Sequence, residues 1–314
     1  MINPLRSIYG VAVKTRNRLY DRGTLKARRL QGPVISVGNL SVGGTGKTPF
    51  VIVLGELLKR RGIAFDVLSR GYGRQTHGVI PVDPGGSALD FGDEPLLIAR
   101  RLGVPVVVGE DRYRAGLFAE VTYGPQLHIL DDGFQHRALA RDFNIVLVTP
   151  EDTRDTLLPA GRLREPLTSL ARADAVVLTS GASPEAFPVK DKAVWRVRRG
   201  IVPKDVPPRP VAFCGIARPQ SFFLQLRTAG IEPAAEAVYR DHYAYTERDV
   251  RELLETRQSS EAGGFVTTEK DAINLGLYLS VLAPLSVVPV RMELIEADKM
   301  IDAMLREIES RRGK

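Results

Sequence analysis

Gly43, Gly44, Thr45, Gly46, Lys47 and Thr48 close the stretch 37–48, and their types and spacing are those of a phosphate cradle. Glycine N–H groups unobstructed by side chains can converge on a polyphosphate, while the positive end of a following helix adds to the attraction. In that arrangement Lys47 bridges the β- and γ-phosphates of a nucleotide and Thr48 offers its hydroxyl to Mg²⁺. The common form of the motif has glycine at its first position, where Ser41 stands here. A glycine-rich surface turn beside a chance Lys-Thr pair is the competing reading. Context favours the cradle: the apolar run 34–37 precedes it, and Phe50, Val53, Leu54, Leu57 and Leu58 follow at helical spacing.

Carboxylates provide the complementary chemistry. The apolar run 127–130 ends in Asp131 and Asp132, where a P-loop protein keeps an acid for Mg²⁺ or its waters. The alternative is an acid pair that only solvates a turn. Gly133, Phe134, Gln135 and His136 add groups at the same sheet edge, without a unique role. Asp93 and Glu94, between Gly92 and Pro95, open a helical pattern. Asp93 therefore reads either as a helix cap, with Glu94 as a first-turn charge, or as a general base that takes a proton from an attacking hydroxyl. His242, between Asp241 and Tyr243, falls on a loop of the second half, placed to cap a cleft between domains; a lone histidine is as often structural. The loop 158–166 carries Arg162, Arg164 and Glu165, for phosphate, for metal, or for surface ion pairs alone. Ser69, Arg70, Tyr72 and Arg74 mix hydroxyl, guanidinium and ring after a strand, with Gly71 and Gly73 between them.

The elements that must position these groups alternate. Short apolar runs at 64–68, 104–108, 127–130, 145–148 and 175–178 end in polar or glycine-rich turns, with helical stretches between several of them. Fully apolar strands alternating with helices predict an α/β fold of the P-loop NTPase kind, a mostly parallel sheet covered on both faces, with ligands at the carboxyl ends of the strands. The texture turns to proline and charge around 181–210. A second, smaller α/β domain follows, with strands expected at 211–214, 265–267 and 285–290 and helices near 221–229, 247–256 and 297–310. The expected division is a basic segment 1–30, a nucleotide-binding domain 31–185, a connector 186–210 and a domain 211–314 that closes the cleft.

At 314 residues the chain has room for about two domains. Its one cysteine, Cys214, can form no internal disulfide, so the fold asks for no oxidising compartment. No run of about 18 apolar residues and no signal-peptide pattern is present. Residues 1–30 hold eight Lys or Arg against the single acid Asp21, which accounts for the whole net charge of +7. Leu5, Ile8, Tyr9, Ala12, Leu19 and Tyr20 fall near one face of the same segment. That is a basic amphipathic helix suited to an anionic membrane surface, against the alternatives of a helix packed on the domain or of nucleic-acid binding.

Taken together these stretches resemble the tetraacyldisaccharide 4′-kinase family of lipid A biosynthesis: VGNLSVGGTGKTP, SRGYGR, GDEP, LDDGFQHRALARDFNIVL, LPAGRLREP, FCGIARPQSF, DHYAYT and VTTEKDAINL, in that order. The resemblance covers residues 34–275, and the serine at 41 agrees with the family's loop. One departure is the Thr149-Pro150 that follows the strand 145–148, where the family usually has an acid. The resemblance implies a peripheral enzyme at the cytoplasmic face of the bacterial inner membrane. It would transfer the γ-phosphate of ATP, with Mg²⁺, to the 4′-hydroxyl of a tetraacylated glucosamine disaccharide 1-phosphate. By motif position Lys47 and Thr48 serve nucleotide and metal; Thr48, Asp131, Asp132 and Glu165 form the metal shell; Asp93 is the base, with His242 as its partner. Ser69, Arg70, Tyr72, Arg74, Arg112, Gln135 and Arg164 are candidates for substrate contact. No protein partner or nucleic acid is implied.

Two other classes compete. A P-loop GTPase or metallochaperone-like switch would carry a guanine-reading N-K-x-D or T-K-x-D; the nearest string, Thr268-Glu269-Lys270-Asp271, has its lysine displaced. A nucleic-acid-dependent ATPase would need a basic face with aromatic platforms, whereas here the excess charge is terminal and aromatics make up 7% of the chain.

Overall fold

Apolar runs too short for a helix and bounded by glycine turns become strands, and the amphipathic stretches between them become helices. In chain order the computed structural model has α1 (Pro4–Asp21), β1 (Val34–Asn39), α2 (Lys47–Arg60), β2 (Phe65–Ser69), β3 (Ile80–Pro81), α3 (Ala88–Phe91), α4 (Asp93–Leu102), β4 (Val106–Val108), α5 (Arg112–Tyr123), β5 (Leu127–Asp131), β6 (Phe143–Val148) and β7 (Ala175–Leu178). It continues with β8 (Ala193–Ile201), β9 (Val211–Cys214), α6 (Pro219–Thr228), β10 (Ala235–Val238), α7 (Glu247–Ser259), β11 (Phe265–Thr268), α8 (Glu269–Leu275), β12 (Leu285–Val288), β13 (Val290–Leu294) and α9 (Ala297–Arg312). The structure describes residues 4–179 and 181–313. Residues 1–3 of the predicted basic segment, residue 180 of the first predicted domain and residue 314 of the last lie outside the described residues.

The large sheet has nine strands in the order β13-β8-β7-β6-β1-β5-β2-β4-β3. All pairs are parallel except β13 on β8 and β3 on β4. β1, β2 and β5 are buried along their whole length, as strands covered on both faces must be. Register aligns Val37 with Asp131, so the cradle leaves β1 beside the acids that end β5. Phe50, Leu54, Leu57 and Leu58 of α2 pack on Ile35, Val37, Phe65 and Ile129. Each such side chain contributes about 1.5–3 kcal/mol of burial, which fixes the helix whose N-terminus faces the phosphates. Gly38 has to be glycine here, because a Cβ would lie 2.6 Å from the Phe134 Cβ and 2.8 Å from its backbone nitrogen.

The second sheet is parallel in the order β10-β9-β11-β12, with its own core around Phe213, Tyr245, Leu253 and Phe265. The expected boundaries shift in two places. Residues 186–210 are not merely a connector: β8 is a strand of the large sheet, with Trp195 and Val197 in its main core. Its outward Arg196 and Arg198 alternate with those two, a one-sided pattern that the surrounding charges and prolines disguise. The expected strand 285–290 also divides at Pro289. β12 stays in the small sheet, while β13 returns to pair with β8, and α9 buries Ile301, Met304 and Ile308 in the large core. The small unit therefore spans 211–288, and the chain crosses to it and back along the ribbon β8–β13.

Candidate active site

Asn39, the last residue of β1, splints the cradle. Its Nδ2 donates to the Ser41 carbonyl at 2.7 Å and to the Thr45 hydroxyl at 2.9 Å, and its Oδ1 accepts from Lys47 Nζ at 3.2 Å. Gly43 and Gly46 take φ of 105° and 92°, conformations in which a side chain would be strained, and Gly46 caps α2. The small domain reaches over the loop: Ala217 Cβ lies 3.3 Å from where a Cβ on Gly44 would stand.

Asp131 and Asp132 are neighbours in opposite states. Asp132, at a left-handed φ of 52°, accepts both Arg164 guanidinium nitrogens at 2.9 Å and sits 3.6 Å from Lys47 Nζ. Burial raises its pKa, but the Lys47 and Arg164 charges outweigh this and hold it at about 2. Asp131 Oδ2 accepts from the Ser69 hydroxyl at 3.1 Å, while its Oδ1 is buried with no hydrogen-bond partner among the described residues. Burial, then the charges of Glu94 and Asp132, push Asp131 up to about 7. An orphaned carboxylate oxygen held among other acids calls for a cation. The donor set is hard oxygen, with the Thr48 hydroxyl near the cradle, which suits Mg²⁺ completed by phosphates and waters. No cluster of three or more protein ligands exists among the described residues; a Mg²⁺ site that relies on substrate oxygens does not need one.

Glu165 does not line the cleft with this group. Its fully buried carboxylate accepts from Arg172 at 2.9 Å and from Asn17 at 2.6 Å, with Arg16 at 3.7 Å. These partners tie the loop 158–166 to α1. The motif position implied a metal ligand; here two guanidinium groups offset much of its charge, while its Oε1 has no hydrogen-bond partner among the described residues.

Asp93 begins α4, and Gly92 is the cap. Gly92 must be glycine, since at φ 88° its Cβ would also lie 2.8 Å from the Tyr72 carbonyl. The Asp93 carboxylate accepts the Glu94 N–H at 2.8 Å, so the helix-terminal role is real. The second role comes from the small domain: His242 Nδ1 lies 2.8 and 3.0 Å from the two Asp93 oxygens, Asn274 Nδ2 donates at 3.4 Å, and Lys270 Nζ stands 3.8 Å away. Burial would raise Asp93; the His242 bond and the Lys270 charge prevail and leave it at about 2. The Asp93 bond raises His242 above its ordinary value, against burial and the Lys270 charge. His242 holds a left-handed φ of 58°, and Tyr72 packs against its ring at 5.2 Å. Lys270 also bonds Glu94 at 3.0 Å, and Arg101 pairs with Glu269 at 2.8 Å, so α4 and α8 are joined by charge.

All of this surrounds one cleft of about 1180 Å³ between the domains. Gly43 to Thr48, Ser69, Arg70, Tyr72, Arg112, Asp131, Asp132, Gln135, Arg164 and His242 line it. Arg112 is buried, donates to the Gly109 and Glu110 carbonyls at 3.1 Å, and is held at about 10 chiefly by burial, with the Asp131 charge opposing and the Arg70 charge adding to it. Arg74 points elsewhere, to Glu110 at 2.6 Å and the Gly78 carbonyl at 2.7 Å, and so supports a turn. Sequence reasoning missed Asn39, Lys270, Asn274, Arg199 and Arg218. Lys270 and Asn274, one helical turn apart on α8, are a signal it could have used. The guanine-reading alternative fails here: Lys270 faces Glu94, and buried Asp271 accepts the Gly215 N–H at 2.6 Å and the Tyr245 hydroxyl at 2.8 Å.

A strand, a glycine loop and a helix, with an acid on the adjacent strand, define a P-loop nucleotide-binding enzyme, here with an Asp–His pair contributed from both sides of an interdomain cleft. The chain belongs to the tetraacyldisaccharide-1-P 4′-kinase family, whose model matches residues 1–309. It is 52% identical to the tetraacyldisaccharide 4′-kinase of Koribacter versatilis, over 99% of this chain and 100% of the relative. Identity to the Geobacter metallireducens enzyme of the same name is 40%, over 92% of each chain. Its fold is similar to the crystal structure of LpxK from Aquifex aeolicus in complex with ATP, with a TM-score of 0.80, 37% identity and 97% of each chain covered. The chain is thus a kinase of this family, with the P-loop sheet and smaller second sheet expected from its sequence.

Proposed function

We propose that this enzyme transfers the γ-phosphoryl group of ATP to the 4′-hydroxyl of a tetraacylated glucosamine disaccharide 1-phosphate in lipid A biosynthesis. The observation that carries the reading is the placement of the Asp93–His242 pair in the same cleft as Lys47, Thr48 and Asp131. Phosphoryl transfer demands an in-line hydroxyl and compensation of charge on the moving group rather than covalent help from the protein. Lys47 and the cradle amides bind the phosphates. Thr48 and Asp131 would hold Mg²⁺, which when bound lessens repulsion between the phosphates and the incoming oxygen. Asp132 works through Lys47 and Arg164, keeping both cations in place, and Glu165 works through the loop that carries Arg164.

Asp93 is covered by protein, whereas His242 lines the cleft, so the pair acts as one proton acceptor: Asp93 fixes the ring through Nδ1 and carries the compensating negative charge. Ser69, Arg70, Tyr72, Arg112 and Gln135 form the wall available to the acceptor. Mass spectrometry of the disaccharide 1-phosphate after incubation with ATP, Mg²⁺ and the protein tests the assignment. One added phosphate on the distal sugar, lost with Asp93→Ala, is the expected result; no transfer by protein that binds ATP overturns it.

The acceptor's acyl chains keep it at a lipid surface, and α1 suits that location at the cytoplasmic face of the inner membrane. No helix among the described residues is long and apolar enough to cross a membrane. Yet Leu5, Ile8 and Val11 of α1 are 60%, 66% and 65% exposed, beside Arg6, Lys14 and Arg18. The opposite side of α1 is docked, with the Tyr9 hydroxyl donating to the Arg164 carbonyl at 3.0 Å. Replacing Ile8 and Val11 by Glu should weaken sedimentation with anionic vesicles by about tenfold or more; unchanged partitioning refutes the membrane role of this helix.

A further inference from the structure

The cations of the cleft are nearly all accounted for. Lys47 and Arg164 share Asp132, Lys270 pairs with Glu94, Arg218 reaches Glu151 at 3.3 Å, and Arg112 donates to backbone carbonyls. Two remain without such a partner: Arg70, which follows β2 on the side of the Asp93–His242 pair, and Arg199, on β8. Arg199 is the one set against the cradle. Among the described residues it has no carboxylate within ion-pair distance and no hydrogen-bond acceptor, although it lines the cleft. Its Nη1 stands 4.0 Å from where a Cβ on Gly46 would lie, against the last glycine of the cradle. Crowding by surrounding protein and then repulsion from Arg218 depress its pKa, and no anion among the described residues compensates the guanidinium.

The sheet order indicates which anion. β1 carries the cradle; β5 and β2, with Asp131, Ser69 and Arg70 at their ends, lie on one side of it, and β6, β7 and β8 lie on the other. The Asp93–His242 pair belongs to the β5 and β2 side, since α4 follows β2 and β3 and precedes β4. In-line transfer puts the attacking hydroxyl and the departing nucleotide on opposite faces of the moving phosphorus. The body of the nucleotide then extends towards β8. There Arg199 is accompanied by cleft-lining Ile201 and Val290 of the ribbon and by Pro49 and Ile52 of α2.

We propose that Arg199 is a nucleotide-binding residue of the linker ribbon that holds the phosphates retained in ADP rather than the one transferred. The assignment rests on the kinase reading above. Because ATP and its product share those phosphates, removing the guanidinium should weaken both to the same extent while leaving chemistry largely intact.

The test is equilibrium binding of ATP and of ADP, with Mg²⁺, to the whole protein and to Arg199→Ala and Arg199→Lys, alongside steady-state KM for ATP and kcat. A charge-assisted contact predicts that Arg199→Ala loses about tenfold or more in affinity for both nucleotides. KM for ATP should rise in parallel, kcat should change by less than about threefold, and Arg199→Lys should recover part of the loss because it restores the charge without the fork. If Arg199→Ala fails to fold, Arg199→Gln, which keeps the stem, takes its place. Equal affinity for both nucleotides in wild type and variant overturns the assignment. So does a loss confined to ATP, which would put the contact on the transferred phosphate. Wild-type protein that binds no ATP would instead overturn the kinase reading.

Discussion

Lys270 provides the sharpest perturbation of the proton-accepting pair, because it touches the pair's charge without supplying the pair itself. Its Nζ lies 3.8 Å from Asp93 Oδ2 and 3.0 Å from Glu94 Oε1. At 3.8 Å two unit charges interact by about 4 kcal/mol in an effective dielectric of 20 and about 1 kcal/mol in water. The site lies between these limits, since Asp93 is buried while Lys270 borders a wet cleft. The expected perturbation is therefore on the order of 1–2 kcal/mol, or about one pH unit.

The sign follows from the charge. A nearby cation disfavours adding a proton to Asp93 or to His242, and it lowers the pKa of both. Lys270→Met removes that opposition, both groups hold their proton to higher pH, and the acid limb of kcat/KM should move up by about one unit. Lys270→Arg should keep the limb near its original position. Profiles of kcat/KM against pH at fixed low ionic strength, repeated in high salt, measure the shift; salt should narrow the difference. A variant that merely packs badly would lose amplitude at every pH without displacing the limb. A limb that stays put, or moves down, refutes the electrostatic role of Lys270.

Two further outcomes follow from the same contacts. If Asp93 and His242 act as one acceptor, Asp93→Asn and His242→Ala should each lower kcat by about 10²–10⁴ fold, and the double variant should be no worse than the poorer single one; multiplied losses would separate the residues. Away from the cleft, buried His128 bonds Asp66 at 2.8 Å and Glu120 at 3.3 Å. Burial pulls its pKa down, but the Asp66 bond and charge and then Glu120 outweigh that and raise it. Its contribution to stability is then fully present below the unfolded value near 6.5 and is lost as pH rises through the raised folded value. Thermal melts of the wild type should lose stability as pH rises above 6.5, a slope that His128→Gln should lack.

How much was legible in the sequence depends on how local each signal is. The cradle could be read because its glycines, Lys47 and Thr48 are consecutive and lie between a strand and a helix whose apolar periodicities differ. Asp131 could be read because a strand pattern ended on it. The state of Asp131 could not: its isolation, against the neutralisation of Asp132 by Lys47 and Arg164, depends on a left-handed turn and on an arginine 32 positions downstream. The surroundings of Glu165 could not be read for the same reason, since Asn17 lies 148 positions upstream. The β8 strand was hidden because its one-sided pattern places Arg196 and Arg198 outward, where composition reads them as a linker. Its first half pairs with β7 and its second with β13, far along the chain.

That ribbon also explains why the cleft groups, rather than the domain cores, set the relation between the two halves. Each domain buries apolar clusters of its own, with Ile273 of α8 reaching into the large core, which α9 completes after the chain has returned. Around Ile273, the polar contacts that join α4 to the small domain are Glu94 with Lys270, Arg101 with Glu269, and Asp93 with His242 and Asn274. Interfaces of this polarity exchange protein partners for water at little net cost, unlike an apolar seam of equal size. The small domain is thus held at the mouth of the cradle by the residues that handle the acceptor proton, and Arg199 on the ribbon stands where a nucleotide would add its own charge to the closure. On the proposed reading, assembly of the reaction site and fixation of the domains are one event.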